Sequence, residues 1–398
     1  MAVSLMTINT GSSSLKAALY HVDTTERLDL TAKAERIGLS GSQLRIADAK
    51  GATVLDQRGD LPDHDAAVRA LFAWLRAQQL DQDLDAVGHR VVHGGRQYRE
   101  PHLITDALIG AIEALVAIDP EHLPQALGAI RAARQAYPGI PQAACFDTAF
   151  HRQMPRIAQI YALPRALQDD GVIRYGFHGL SYEYILSALR ALDPAAADGR
   201  VIIAHLGNGA SLAAVQGGIG VETTMGFTPT GGLVMGTRPG DLDPGVLLYL
   251  LRTRSMSPDA LSELVNQKAG LLGVSGISAD MHDLLEKERT NPPAAEAIAL
   301  FCYQARKSLS ALVAVLGGLD TLVFTAGIGE HAAPIRQRIC DGLDFLGITL
   351  DPGRNAAHAP VISRDGSRVT VRVIATDEDL MIARHTYQLA FRQGGSEG

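Results

Sequence analysis

Met6-Thr7-Ile8-Asn9-Thr10-Gly11-Ser12-Ser13-Ser14-Leu15-Lys16-Ala17-Ala18-Leu19 decides the fold. It reads as an apolar strand, a turn of small residues and a second strand. The same design returns in Val201-Ile202-Ile203-Ala204-His205-Leu206-Gly207-Asn208-Gly209-Ala210-Ser211-Leu212-Ala213-Ala214-Val215. A Gly/Ser turn lets backbone N–H groups approach an anion, because no side chain blocks the way. Two such hairpins suggest a duplicated domain whose halves grip one phosphate chain. A strand, not a helix, follows each turn, so the dinucleotide-binding G-x-G-x-x-G logic does not apply. No G-x-x-x-x-G-K-[ST] loop occurs either.

The chain has 398 residues, which makes two domains the expectation. It is 46% hydrophobic and 20% charged, as an ordinary soluble enzyme is. Its net charge of −7 argues against non-specific nucleic-acid binding, which needs a basic face. Cys145, Cys302 and Cys340 show neither zinc spacing nor a disulfide framework, and read as small buried hydrophobes. No signal-peptide pattern opens the chain and no uncharged apolar run spans a membrane. The expected compartment is the cytoplasm.

Apolar alternation predicts strands at Val3–Asn9, Leu15–Val22, Thr31–Ile37, Gln43–Ile46, Thr53–Leu55, Ala86–Val92 and Gln142–Phe146. Helices are expected over Asp65–Ala77, Asp106–Ile118 and Leu123–Tyr137. The second half repeats the order: strands Arg200–His205, Ser211–Val215 and Ile219–Thr224, then helices at Pro244–Arg252, Pro258–Lys268, Ala279–Glu288 and Ala294–Leu316. A buried strand Thr321–Thr325 enters Ala326-Gly327-Ile328-Gly329-Glu330 and a helix to about Leu343. Val369–Ala375 is the last strand. Asp377–Phe391 is the last helix, positioned to pack back on the first half, and Gln393–Gly398 is expected to fray.

Polar groups stand with Gly in four apolar settings: Gly88-His89-Arg90-Val91-Val92-His93-Gly94-Gly95, Phe146-Asp147-Thr148-Ala149-Phe150-His151, Tyr175-Gly176-Phe177-His178-Gly179 and Met235-Gly236-Thr237-Arg238-Pro239-Gly240-Asp241. Two arginines, an imidazole and a carboxylate suit a transferring phosphoryl group, whose oxygens need positive donors. These strings resemble acetate kinase when taken in order with the two hairpins and Thr325-Ala326-Gly327-Ile328-Gly329-Glu330. The resemblance covers nearly the whole chain. It implies an α/β fold of duplicated actin-like ATPase (ribonuclease H-like) domains, with mixed sheets and an interdomain cleft. The domains would be 1–147 plus 381–398, and 148–380. It also implies ATP-dependent phosphorylation of acetate to acetyl phosphate, reversibly and by direct in-line transfer. Propionate or butyrate kinase chemistry is the alternative.

Residue by residue, the resemblance gives Asn9 and Glu378 to the metal, Mg²⁺ with Mn²⁺ able to substitute. Arg90 and Arg238 resemble the pair that binds the carboxylate and the transferring phosphoryl. His178 resembles the imidazole at the transition-state phosphoryl, and Asp147 the carboxylate that holds metal and arginine in place. His122 matches a further active-site histidine. Val92, Phe177 and Pro229, with Arg90, match the substrate pocket. Gly207, Asn208 and Gly209 match the second phosphate hairpin. Asp280, Met281, His282, Gly327, Ile328, Gly329, Glu330 and His331 match the adenosine pocket, and Lys16 and His205 are assigned to the nucleotide as well. A homodimer through the second domain and closure on substrates are further implications; nucleic acid and membrane are not expected partners.

A carboxylate nucleophile is already ionised at pH 7, so it needs no general base. The difficulty is bringing two anions together. Asp147 is therefore expected to organise charge and not to abstract a proton, as the base of a sugar kinase would. An actin-like scaffold that only hydrolyses ATP would not need Arg90 and Arg238. Some positions depart from the family pattern: Glu121, Thr230-Gly231, Leu180-Ser181-Tyr182, His282, Pro239 and Asp377. None removes a phosphoryl-transfer group. Glu121 reads most simply as a solvated loop carboxylate.

Overall fold

The computed structural model describes residues 2–11 and 13–392. Ser12 of the first turn and the expected frayed tail, 393–398, lie outside the described residues. The chain divides into two compact units, Met1–Ala149 with Asp377–Gly398, and Phe150–Thr376.

The first unit holds an eight-stranded sheet: β1 (Val3–Thr10), β2 (Ser14–Val22), β3 (Glu26–Glu35), β4 (Ser42–Asp48), β5 (Thr53–Gly59), β6 (Leu84–Val91), β7 (His102–Leu103) and β8 (Gln142–Phe146). Its order is β5-β4-β3-β2-β1-β6-β8-β7. β1 and β2 are antiparallel, with Asn9 opposite Lys16. β6 runs parallel to both β1 and β8. Successive side chains of a strand face opposite sides. Met6 and Ile8 therefore enter one core with Val68, Leu71 and Phe72 of the helix His64–Ala77 and with the helix Leu123–Ala136. Leu5 enters the opposite core, with Ala383 and Leu380 of the closing helix Glu378–Tyr387. That helix reaches β6 because Gly88 has no side chain: a Cβ there would lie 2.2 Å from Thr386 Oγ1 and 2.6 Å from Ile382 Cγ2.

The second unit carries β9 (Arg200–Leu206), β10 (Ala210–Gln216), β11 (Ile219–Thr223), β12 (Thr321–Thr325) and β13 (Thr370–Val373), in the order β11-β10-β9-β12-β13. β9–β10–β11 is an antiparallel meander, and β12 is parallel to both β9 and β13. The path β3-β2-β1-β6-β8 in the first sheet has the same order and the same strand senses. The duplication read from the two hairpins is thus repeated in topology. One face of the second unit's sheet packs on the helix Gly179–Leu192 through Tyr182, Ile185 and Leu189. The helix Pro292–Leu316 packs on β9 and β10. Among the described residues it is the one helix long and apolar enough to cross a membrane by length and composition. It buries Ile298, Phe301, Ala305, Leu309 and Leu312 along one side, which is the pattern of a core helix.

Candidate active site

In the first unit three parallel strands end at one edge of the sheet, where α/β folds collect ligands. Asn9 lies at the end of β1, Arg90 at the end of β6, and Asp147 just beyond β8. Glu378 opens the closing helix. Arg90 donates from Nε and Nη2 to the two carboxylate oxygens of Asp147, at 2.9 and 2.6 Å. Its Nη1 donates to Asn9 Oδ1 at 3.0 Å, and Asn9 Nδ2 donates to Glu378 Oε2 at 3.0 Å. All four residues form one hydrogen-bonded chain. Burial opposes the charge on Arg90, but Asp147, Glu378 and Asp379 outweigh it, so its pKa is raised and it stays cationic. Burial, with the charges of Glu378 and Asp377, pushes the Asp379 carboxyl up to about 6 against the pull of Lys16 and Thr7.

Two further residues of this unit have defined settings. Val92 is buried. His122 is the residue before the helix Leu123–Ala136, and its Nδ1 lies 2.8 Å from Oδ1 of the buried Asp119. The neighbouring Glu121, read from sequence as a solvated loop carboxylate, is half-buried.

In the second unit His178 is the residue before the helix Gly179–Leu192 and has φ 59°, in the left-handed region. A non-glycine residue held there is uncommon, and such strain collects at functional sites. Its Nδ1 lies 2.8 Å from Ser211 Oγ on β10, and the Tyr182 hydroxyl meets the same Oγ. The His178 ring stacks on that of His205, with centroids 4.1 Å apart and planes 19° apart. Arg238 joins them: a Cβ at Gly209 would lie 2.9 Å from Arg238 Nη2 and 3.1 Å from His178 Nε2. Both donors therefore overlook the turn of the second hairpin, and glycine at 209 keeps that approach open. Arg238 Nη1 also donates to the carbonyl of Pro229 at 2.7 Å. Phe177, one residue before His178, is fully buried.

A cavity of about 540 Å³ opens in the same unit. Gly207, Asn208, Asp280, Met281, His282, Gly327, Ile328 and His331 line it, together with Ala279, Leu285, Ala332 and Pro334. Its size and its mainly apolar walls suit a nucleoside. Asp280 also caps the helix Met281–Lys287, accepting from His282 N at 2.7 Å. Five residues assigned to the nucleotide from sequence do not line this cavity. His205 is turned to Ser181, Nδ1 to Oγ at 2.8 Å, and to the His178 stack. Gly209 lies under His178 and Arg238. Gly329 sits against the ends of β9 and β12. Glu330 accepts through Oε1 from the backbone N–H of Ala326 at 2.8 Å and of Thr376 at 3.2 Å, and so ties the turn down. Lys16, in the other unit, is exposed on β2.

Sequence reasoning did not single out Ser211, Ser181, Asp119 or Tyr182 as functional. Ser211 stood inside the quoted hairpin, and a buried hydroxyl two residues after a Gly-Asn-Gly turn was the available signal. Ala326, with φ 64°, was equally hidden, since nothing in an alanine announces left-handed backbone.

Among the described residues no group of three or more His, Cys, Asp or Glu gathers as a metal cage. The Asn9–Glu378 pair offers oxygen donors only. That suits Mg²⁺, which keeps several waters and is shared with substrate phosphates.

The family model described as the acetokinase family matches residues 4–384. An acetate kinase of Rhodopseudomonas palustris is 47% identical over 97% of this chain and 98% of its own length. The crystal structure of Porphyromonas gingivalis acetate kinase superposes with a TM-score of 0.87 at 36% identity, covering 97% of this chain and 99% of that one. A propionate kinase from Francisella tularensis gives 0.91 at 34% identity, covering 97% and 100%. The chain belongs to the acetokinase family.

Proposed function

We propose that the chain transfers the γ-phosphoryl group of ATP directly to the carboxylate of acetate, giving acetyl phosphate and ADP, and that it runs the reverse reaction as well. The observation that carries this reading is the arrangement of donors. Arg90 is locked in a charged state by Asp147. Arg238 and His178 overlook the second phosphate hairpin. Two anions must meet, and fixed cationic and N–H donors lower that cost in the transition state more than a flexible solvent can. Asp147 accepts two bonds from Arg90 and is nearly sealed from solvent, so its work is to aim the guanidinium. The ionised carboxylate substrate supplies its own nucleophilic lone pair and no proton needs to be removed.

Mg²⁺ bound near Asn9 and Glu378 would neutralise phosphate charge; Mn²⁺ would serve in its place. The adenosine would occupy the cavity lined by Asp280–His282 and Gly327–His331, and the phosphates would follow the Gly207–Gly209 turn. Val92, Phe177 and Pro229 would bound the acyl end, and His122 would add a donor there. The chain would act as a homodimer. The helix Pro244–Thr253, with sequence PGVLLYLLRT, has no buried residue, and Val246, Leu248 and Tyr249 stand 43%, 48% and 50% exposed. A helix that apolar needs a covering surface. Cys145, Cys302 and Cys340 are buried and form no disulfide, which agrees with a reducing cytoplasm as its compartment.

Trapping the product with hydroxylamine tests the proposal. With Mg²⁺, ATP and acetate the purified chain should form acyl hydroxamate in step with ADP. ADP without hydroxamate would instead indicate a scaffold ATPase. Running acetate, propionate and butyrate in parallel ranks the acyl chain, for which one methylene is worth about 1–3 kcal/mol.

A further inference from the structure

The bonding of His178 contains more than phosphoryl contact requires. Its Nε2 faces the Gly209 turn beside Arg238. Its Nδ1 faces away, to the hydroxyl of Ser211 at 2.8 Å. Ser211 in turn meets the phenol of Tyr182. Both Ser211 and Tyr182 are completely buried. A neutral imidazole carries its hydrogen on one nitrogen only, and the partner of the other nitrogen decides which. A serine hydroxyl has one hydrogen to give, so it can support either tautomer until something fixes its direction.

We propose that Tyr182 is a positioning residue for phosphoryl transfer. Its phenol donates to Ser211 Oγ, Ser211 then donates to His178 Nδ1, and the imidazole is held with its hydrogen on Nε2, aimed at the phosphoryl site. The phenol is the more acidic of the two hydroxyls, which favours this direction of the relay. The opposite direction would put the hydrogen on Nδ1 and turn the Nε2 lone pair toward an anion. The groups facing the ring include Arg238 at the Nε2 side, the stacked His205, and Ser211, backed by Tyr182, at Nδ1. Ser211 Oγ is the group at Nδ1, and the Tyr182 phenol acts on it through that oxygen. His205 is held separately, by Ser181, whose Oγ is reached by the Thr376 hydroxyl at 2.9 Å. The inference rests on the proposed role of His178 in acetyl phosphate formation, but its first readout does not need activity.

The test combines the imidazole tautomer with a double-mutant cycle. In the ¹⁵N-histidine-labelled chain, long-range proton–nitrogen correlation reports which nitrogen of His178 bears hydrogen. The resonance is assigned by its loss in His178→Gln. The expected result is hydrogen on Nε2 in the parent chain and a shifted or mixed tautomer in Tyr182→Phe. In turnover, Tyr182→Phe and Ser211→Ala should each lower kcat on the order of 10-fold, with KM for ATP unchanged, as loss of an aimed donor does. Tyr182→Phe should add nothing further in the Ser211→Ala background, because the phenol acts through that hydroxyl. Hydrogen on Nδ1 in the parent chain overturns the proposal, and so do multiplicative effects of the two substitutions. If the parent chain forms no acetyl phosphate, the proposed reaction falls while the tautomer result still decides the relay.

Discussion

Arg90 grips Asp147 through two parallel hydrogen bonds, from Nε and Nη2, at 2.9 and 2.6 Å. A paired guanidinium and carboxylate in this geometry fix each other's planes. The carboxylate therefore has a task other than proton transfer.

Asp147→Asn should lower kcat by about 100-fold, the order seen when one preorganised electrostatic group is lost. The ratio of variant to parent activity should stay constant from about pH 6 to pH 9, since no base has been removed. A deficit that shrinks as pH rises would instead make Asp147 a base.

Glu378→Gln should leave the bond from Asn9 Nδ2 possible, because an amide oxygen still accepts it. The lost charge should raise the Mg²⁺ concentration for half-maximal rate about 10-fold, with a smaller change in KM for ATP. Titrating Mg²⁺ at saturating ATP measures this. Chelation of the metal should stop acetyl phosphate formation in the parent chain.

Gly209→Ala puts a methyl group 2.9 Å from Arg238 Nη2 and 3.1 Å from His178 Nε2. The guanidinium end can swing away, so the fold should survive with a Tm change under about 4 °C. Activity should fall at least about 10-fold because a donor is displaced. Thermal unfolding and turnover measured on one preparation separate the two effects.

His89, His93 and His151 are buried, and burial holds each at about 4, against 6.5 in an unfolded chain. A lowered folded pKa means that unfolding takes up protons below pH 6.5. The stabilisation is complete above pH 6.5 and is lost as pH falls toward 4. Each histidine contributes up to about 3 kcal/mol to that slope. His89, bonded through Nε2 to Gln142 Oε1 at 2.9 Å, gives the cleanest test. Denaturant unfolding of His89→Gln should be less steep in pH than the parent across this window; an unchanged slope would contradict the assignment.

Leu248→Asp with Tyr249→Ser changes the exposed apolar helix Pro244–Thr253, which buries none of its own residues. Light scattering should find a dimer for the parent chain and a monomer for the variant. A monomeric parent would remove the proposed role of this helix.

The core strands and the motif residues were legible in the sequence, for a physical reason. β8 and β12 are five-residue, fully buried strands, and their boundaries are those expected from the apolar runs. Where the sheet meets solvent the pattern weakens. β3 begins at Glu26, not Thr31, because Glu26-Arg27-Leu28-Asp29 is a polar edge stretch with a register shift opposite Leu19 and Tyr20. β7, only His102–Leu103 and exposed, gave no signal. The helix expected to run to Ile118 ends at Leu115. The turn after it bonds Asp119 N to Leu115 O and delivers Asp119 to His122. The helix expected over Pro258–Lys268 becomes a wider π turn at Leu264–Lys268. The single helix expected from Gly327 to about Leu343 is two, Ala326–His331 and Ala333–Cys340, with Pro334 opening the second. The residues proposed to carry the chemistry stand in motifs that could be quoted from sequence. Their partners through space, Ser211 for His178 and Glu330 for Ala326, depend on packing that no local pattern encodes.

The central claim is that fixed cations make it possible for an organic acid to attack a nucleoside triphosphate. Phosphorus-31 NMR of the Arg90→Ala, Arg238→Ala double variant, beside the parent chain with Mg²⁺, ATP and acetate, addresses it most directly. The account predicts an acetyl phosphate resonance growing in the parent and none above background in a variant that remains folded by circular dichroism. Acetyl phosphate appearing in that folded variant as fast as in the parent would contradict it.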